Sequence, residues 1–152
     1  MTECPTLPVT VLLVEDNPAD QAMARRTLTH KDFQVDLQIA ADGEEALDYL
    51  LRRNNSADPA TSPRPDVIFL DLNLPRIGGR EVLSTIRQNA ELKRIPVVVL
   101  STSQSEREVA ECYELGCSSF IHKPLHFSEF RSTVGRAGEY WFKTVTLPPR
   151  TV

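Results

Sequence analysis

Six side chains in this 152-residue sequence are of types that bind metal ions or handle phosphoryl groups, and their positions share a pattern. Glu15 and Asp16 follow the apolar run Val9–Val14, Asp71 follows Val67–Leu70, Ser101 and Thr102 follow Val97–Leu100, and Lys123 comes shortly after Ser119–Ile121. In an open α/β sheet, ligands bind outside the carboxyl ends of the strands, so residues at four such ends meet at one edge. Three carboxylates gathered there repel one another unless a cation neutralises them. A hard, oxygen-seeking ion suits that need: Mg²⁺ first, with Mn²⁺ as a second candidate. Lys123 adds positive charge, Ser101 offers a hydroxyl donor, and Asp71 is placed as a nucleophile that accepts a phosphoryl group. Such a transfer is driven by positioning and charge neutralisation. Taken singly, an acidic pair is an ordinary polar turn, Asp71 a loop residue and Lys123 a surface lysine. The combination and its order carry the signal.

The elements that must hold these residues are legible from the apolar pattern. Five runs, Val9–Val14, Val35–Ala40, Val67–Leu70, Val97–Leu100 and Ser119–Ile121, are rich in Val, Ile and Leu. Three are nearly continuous rather than alternating, as a strand covered on both faces requires. Helical segments alternate with them. Asn17 is placed to cap the first, with Pro18 in its first turn and Asp20 near the positive end of its dipole. Ser103 with Glu106 reads as a capping box, and Gly116 as a terminator after Leu115. His126 is placed to cap the last helix, where Phe127, Phe130, Val134, Ala137 and Trp141 form an apolar stripe weakened by Gly135 and Gly138. The fold class is therefore α/β: a doubly wound five-stranded parallel sheet flanked by five helices. Residues 9–147 form the domain, 1–8 a flexible N-terminal segment and 148–152 a tail. Arg53–Pro65, with three prolines, reads as an exposed, mobile loop.

Composition sets the outer bounds. With 41% hydrophobic and 25% charged residues the chain is of ordinary globular make-up, long enough for one core. A formal charge of −4 argues against a dedicated nucleic-acid binder. No apolar run approaches the roughly 20 residues that span a bilayer, and no signal-peptide core opens the chain, so cytoplasm is the expected location. Cys4, Cys112 and Cys117 have no zinc-type spacing and are expected as reduced thiols.

The segments VLLVEDNP, DLNLP with the following RIGG, VVVLSTS and FIHKP together resemble the receiver-domain family of two-component response regulators, over about Val9 to Tyr140. The resemblance implies the flavodoxin-like receiver fold and a phosphoacceptor role for Asp71. It implies that Asp16 and Asp71 ligate Mg²⁺, Asn73 through its backbone carbonyl, and Glu15 through water. Ser101, Thr102 and Lys123 would contact the phosphoryl oxygens, Ser101 and Phe120 would form the conformational switch, and Pro124 would follow a cis peptide bond. Glu15 and Ser101 stand where Asp and Thr are commoner. The loop before SPRPDVIFLDLNLP and the C-terminal EYWFKTVTLP further resemble the small single-domain response regulators paired with bacterial phytochrome histidine kinases. The implied donor is a sensor histidine kinase, a bacterial phytochrome in the finer reading.

Other functions compete. Aspartate-nucleophile phosphatases share the Mg²⁺ and the aspartate but carry a second Asp two residues on, where this chain has Asn73. A flavodoxin-like cofactor binder needs a Gly- or Ser/Thr-rich phosphate loop after the first strand, where Glu15-Asp16 would repel phosphate. A degenerate receiver acting only as an interaction module is the third option, although every required position is filled. None of the three histidines sits in a helical donor domain. Tyr140, Trp141 and Phe142 are consecutive, so they cannot all face one core from a helix. With Phe127 and Phe130 they are read as a partner face, and a homodimer is expected.

Overall fold

The computed structural model describes residues 8–30 and 32–150. Cys4 and most of the N-terminal segment lie outside the described residues, as does the end of the tail. The chain alternates β1 (Val9–Val14), α1 (Pro18–Leu28), β2 (Val35–Ala40), α2 (Gly43–Leu51), β3 (Val67–Asp71), α3 (Gly79–Gln88), β4 (Val97–Ser101), α4 (Glu106–Glu114), β5 (Ser119–His122) and α5 (Phe127–Glu139). All four strand pairings are parallel, in the order β2-β1-β3-β4-β5. β3 and β4 each run one residue beyond their apolar run, so Asp71 and Ser101 are the last residues of their strands.

The near-continuous apolar runs are explained by two cores, one on each face of the sheet. Leu12, Val14, Ile68, Leu70, Val97 and Val99 point to the layer under α2, α3 and α4; Val11, Leu13, Val67, Phe69, Val98 and Leu100 point to the layer under α1 and α5. Every residue of β3 and β4 is buried. Strand order reverses between β1 and β3, the place where an open α/β sheet leaves a crevice.

Caps fix where the helices begin. Asn17 Oδ1 accepts from the Ala19 and Asp20 amides at 2.9 and 3.1 Å, and Pro18 opens α1, as expected. Asp42 caps α2 through the Glu45 amide at 2.7 Å. The capping pair of α4 lies two residues later than Ser103 and Glu106: Ser105 is the cap and accepts from the Glu108 amide at 3.3 Å. Ser103 instead accepts from the Ser105 amide, which leaves it one step outside the helix. His126 precedes α5 without a side-chain cap bond, because its ring makes none of the hydrogen bonds an Asn or Ser would. Gly116 follows α4 at φ 93°, the left-handed terminator that only glycine adopts freely.

Two expectations change in the loops and the C-terminal region. Arg53–Pro65 is anchored rather than loose along its second half: Ser62 and Pro65 are buried, Tyr49 Oη donates to the Pro63 carbonyl at 2.5 Å, and Arg64 pairs with Glu91 at 2.9 Å. The last helix widens into a π turn over Tyr140–Thr144. That turn carries Trp141 into the α1/α5 core, stacks Phe142 on Phe69 at 6.3 Å and sets it edge-on to Phe33 at 5.3 Å, while Tyr140 stays half-exposed. Gly138, which weakens α5 as an isolated helix, leaves room there: a Cβ would lie 3.1–3.2 Å from Phe33, Leu28 and Phe142.

Candidate functional site

Parallel register brings the strand ends level. Val14 pairs with Leu70 and Asp71 with Leu100, so Glu15, Asp16, Asp71 and Ser101 rise from one edge of the sheet, with Lys123 just past β5. Glu15, Asp71, Ser101 and Lys123 are buried. Asp16 and Thr102 are exposed at the lip. One ligand oxygen from each of Glu15, Asp16 and Asp71 can be chosen so that all three lie within 4.8 Å of one another.

Lys123 Nζ sits in the middle of this acidic edge, 2.7 Å from Glu15 Oε1, 3.0 Å from Asp20 Oδ2 and 3.1 Å from Asp71 Oδ2. Its other side lies 5.0 Å from the centre of the Phe130 ring. Three carboxylates thus face one ammonium. Burial pulls the Lys123 ammonium down, but the bonds from Glu15 and Asp20 and the charge of Asp71 outweigh it and hold the group above its ordinary range. Burial pushes the Glu15 carboxyl up to about 7; the Lys123 hydrogen bond opposes the shift and the neighbouring charge of Asp71 adds to it. With Asp16 close by, the carboxylates at this edge outnumber its one ammonium, which leaves an excess of negative charge. A hard divalent cation coordinated by oxygen would balance it, so the donor set fits a divalent metal.

The remaining polar contacts hold the site open in a defined shape. The Asn73 amide donates to Asp71 Oδ1 at 2.9 Å, closing the turn after β3 and aiming the carboxylate. Asn73 Nδ2 reaches Thr102 Oγ1 at 3.4 Å across the lip. Gly79, at the start of α3, packs so closely that a Cβ would lie 2.6 Å from both the Asp71 carbonyl oxygen and Leu72 Cα. Ser101 is fully buried; its hydroxyl donates to Glu108 Oε1 at 3.1 Å and accepts from the Ser103 amide at 3.1 Å. Phe120, on the edge strand, is partly buried against the α2/α3/α4 core, and its amide donates to Tyr113 Oη at 3.2 Å.

The structure therefore assembles Glu15, Asp16, Asp71, Asn73, Ser101, Thr102 and Lys123, and adds Asp20 and Glu108, which sequence reasoning missed as site residues. Asp20 had a usable signal, standing one helical turn past the Glu15-Asp16 corner on the face that returns toward β1. Two expectations are corrected. The Lys123–Pro124 bond is trans, as are all peptide bonds among the described residues; proline narrows the trans preference to about 0.5–1 kcal/mol without reversing it. Phe130 and Trp141 belong to the core and Phe142 packs against it, so of the five aromatics read as a partner face only Phe127 and Tyr140 present exposed rings.

A five-stranded parallel sheet of this order, with an acidic cluster at its switch point and a lysine past the last strand, matches one family over residues 11–135, the response regulator receiver domain, and the chain belongs to it. Its role is that of a phosphoacceptor module in two-component signalling. The response regulator Rcp1 of Synechocystis sp. is 41% identical over 141 residues, covering 93% of this chain and 94% of Rcp1. The Mn²⁺-bound crystal structure of Rcp1 aligns over 93% of this chain and all of that one with a TM-score of 0.87. The phosphorylated cyanobacterial phytochrome response regulator RcpA is 39% identical, covers 93% of this chain and 99% of that one, and gives a TM-score of 0.88. No helix among the described residues is long and apolar enough to cross a membrane.

Proposed function

We propose that Asp71 is the phosphoacceptor, taking its phosphoryl group from the histidine of a sensor kinase. The observation that carries this is the setting of Asp71: last residue of β3, one carboxylate oxygen on Lys123 at 3.1 Å, the other on the Asn73 amide at 2.9 Å, within the Glu15–Asp16 cluster. An Asp71 oxygen attacks phosphorus, the P–N bond to the donor imidazole breaks, and its electron pair returns to that ring nitrogen, which takes up a proton. Asp16, Asp71 and the Asn73 carbonyl would hold a Mg²⁺ ion directly and Glu15 would hold it through water; bound there, the ion would supply charge neutralisation for the phosphoryl oxygens. Lys123, Ser101 and Thr102 receive the phosphoryl oxygens, and Lys123 gives up part of its hold on Asp71 to do so.

The phosphatase reading is weaker. Asn73 has no carboxyl, and its side-chain amide is directed at Thr102 rather than at a leaving group. The chemistry is thus self-catalysed acceptance and loss of a phosphoryl group, and the output is a contact. The likeness to Rcp1 and RcpA supports a bacterial phytochrome as the kinase, and a cytoplasmic location follows from such a partner. Phe127 and Tyr140, about half exposed at the two ends of α5, and Leu125, 89% exposed two residues before Phe127, supply the apolar surface for a second copy of this chain. Incubation with acetyl phosphate and MgCl₂ is expected to add one phosphoryl mass to wild type and none to Asp71→Asn or to wild type in EDTA. An undiminished gain in Asp71→Asn would contradict the assignment. Light scattering on the same samples is expected to show a dimer that Tyr140→Glu abolishes; a monomer at every concentration and phosphorylation state would remove the homodimer.

A further inference from the structure

We propose that Glu108 is a positioning residue that holds the Ser101 hydroxyl away from the phosphoryl site and thereby sets the threshold of the switch. The inference rests on the reading of Asp71 as phosphoacceptor and Ser101 as the hydroxyl that meets the phosphoryl group. A serine hydroxyl has one proton to donate. Here that proton goes to Glu108 Oε1 at 3.1 Å, while the oxygen accepts from the Ser103 amide. Donation to a phosphoryl oxygen and donation to Glu108 therefore exclude one another, and activation must break a charge-assisted bond at a fully buried residue.

Glu108 is placed for this role by its position in α4. It is the third residue of the helix after the Ser105 cap, the position from which a Glu ordinarily reaches back to the cap amide. That amide is already taken by Ser103 Oγ at 3.1 Å, so the Glu108 carboxylate is released from capping and turns inward to Ser101. Its second oxygen lies 3.8 Å from Arg80 Nη2, and Arg80 Nη1 is held at 2.5 Å by Glu111. When Ser101 leaves, Glu108 has a cation on α3 ready to receive it. The loss of the serine bond is thus converted into a stronger α3–α4 ion pair, and the change at Ser101 is passed to a surface away from the phosphoryl group.

The test is a beryllofluoride titration in MgCl₂ followed by amide NMR, on wild type, Glu108→Ala, Glu108→Gln, Ser101→Ala and the Ser101→Ala/Glu108→Ala double variant. Glu108→Ala is expected to lower the titration midpoint about tenfold, within the range of one charge-assisted hydrogen bond. Glu108→Gln, which keeps a neutral acceptor, is expected to fall between. In the Ser101→Ala background the Glu108 substitution is expected to have no effect, an outcome that general loosening of α4 would not produce. An unchanged midpoint in Glu108→Ala, or an equal change with Ser101 absent, overturns the inference while leaving Asp71 in place. Failure of wild type to take beryllofluoride overturns the Asp71 reading and this inference with it.

Discussion

Glu15 and Lys123 are the residues at which the acidic edge is decided. The carboxyl of Glu15, raised by burial to about 7 against an ordinary value near 4.3, keeps a proton in the folded protein that the unfolded chain releases. Between these values the folded state binds more protons, so stability from this group is full below about pH 4 and is lost as pH rises through about 7. In EDTA the melting temperature of wild type is expected to fall from pH 5 to 8 more steeply than that of Glu15→Gln, and Mg²⁺ is expected to remove most of the difference. Parallel slopes for the two proteins would show that folded Glu15 keeps no such proton. The identities of these residues were legible because acidic, hydroxyl and amine side chains each sat within two residues of the end of an apolar run. Their mutual distances were not, since a spacing of 52 residues between Asp71 and Lys123 says nothing of the 3.1 Å that separates them.

At the scale of elements, the site depends on how closely α3 approaches the end of β3. Gly79 permits that approach, and Gly79→Ala would force its Cβ against backbone atoms 2.6 Å away that have no rotamer to yield. Overpacking of this kind costs about 1–3 kcal/mol. Chemical denaturation is expected to show that loss together with slower phosphorylation by acetyl phosphate; a neutral substitution would mean that α3 does not set the position of Asp71. Strands and helices were legible because a buried parallel sheet demands continuous Val, Ile and Leu, and because Asn17 and Gly116 mark helix ends by their own chemistry. The start of α4 was misplaced by two residues for a related reason. Ser103 and Ser105 are both competent caps with a Glu three residues on; in the fold Ser105 takes the Glu108 amide, and Ser103 is used up on the Ser105 amide. The π turn at Tyr140–Thr144 had no signature in the pattern. It packs Trp141 and Phe142 against one core within the chain and leaves Tyr140 half-exposed.

For the whole molecule, two cores flank one sheet and the chemistry is confined to a single edge. The deep thiols report on the integrity of that arrangement. Burial and the neighbouring Cys112 push the Cys117 thiol up to about 11, and burial with the Glu108 charge pushes Cys112 up as well. At pH 8 Cys117 is expected to react with iodoacetamide on the order of a hundredfold more slowly than in denaturant, and Cys112 also more slowly, since the thiolate is the reacting form. Fast labelling of either in the native protein would mean that the α4 side of the core opens locally. The phosphoryl group, by contrast, enters from solvent at the open edge of the sheet. Reduction of the phosphorylated protein with borohydride converts an aspartyl phosphate to homoserine, which peptide mass spectrometry locates. Homoserine at position 71 alone is the expected result; homoserine at position 16 or 20, or at none, would contradict it.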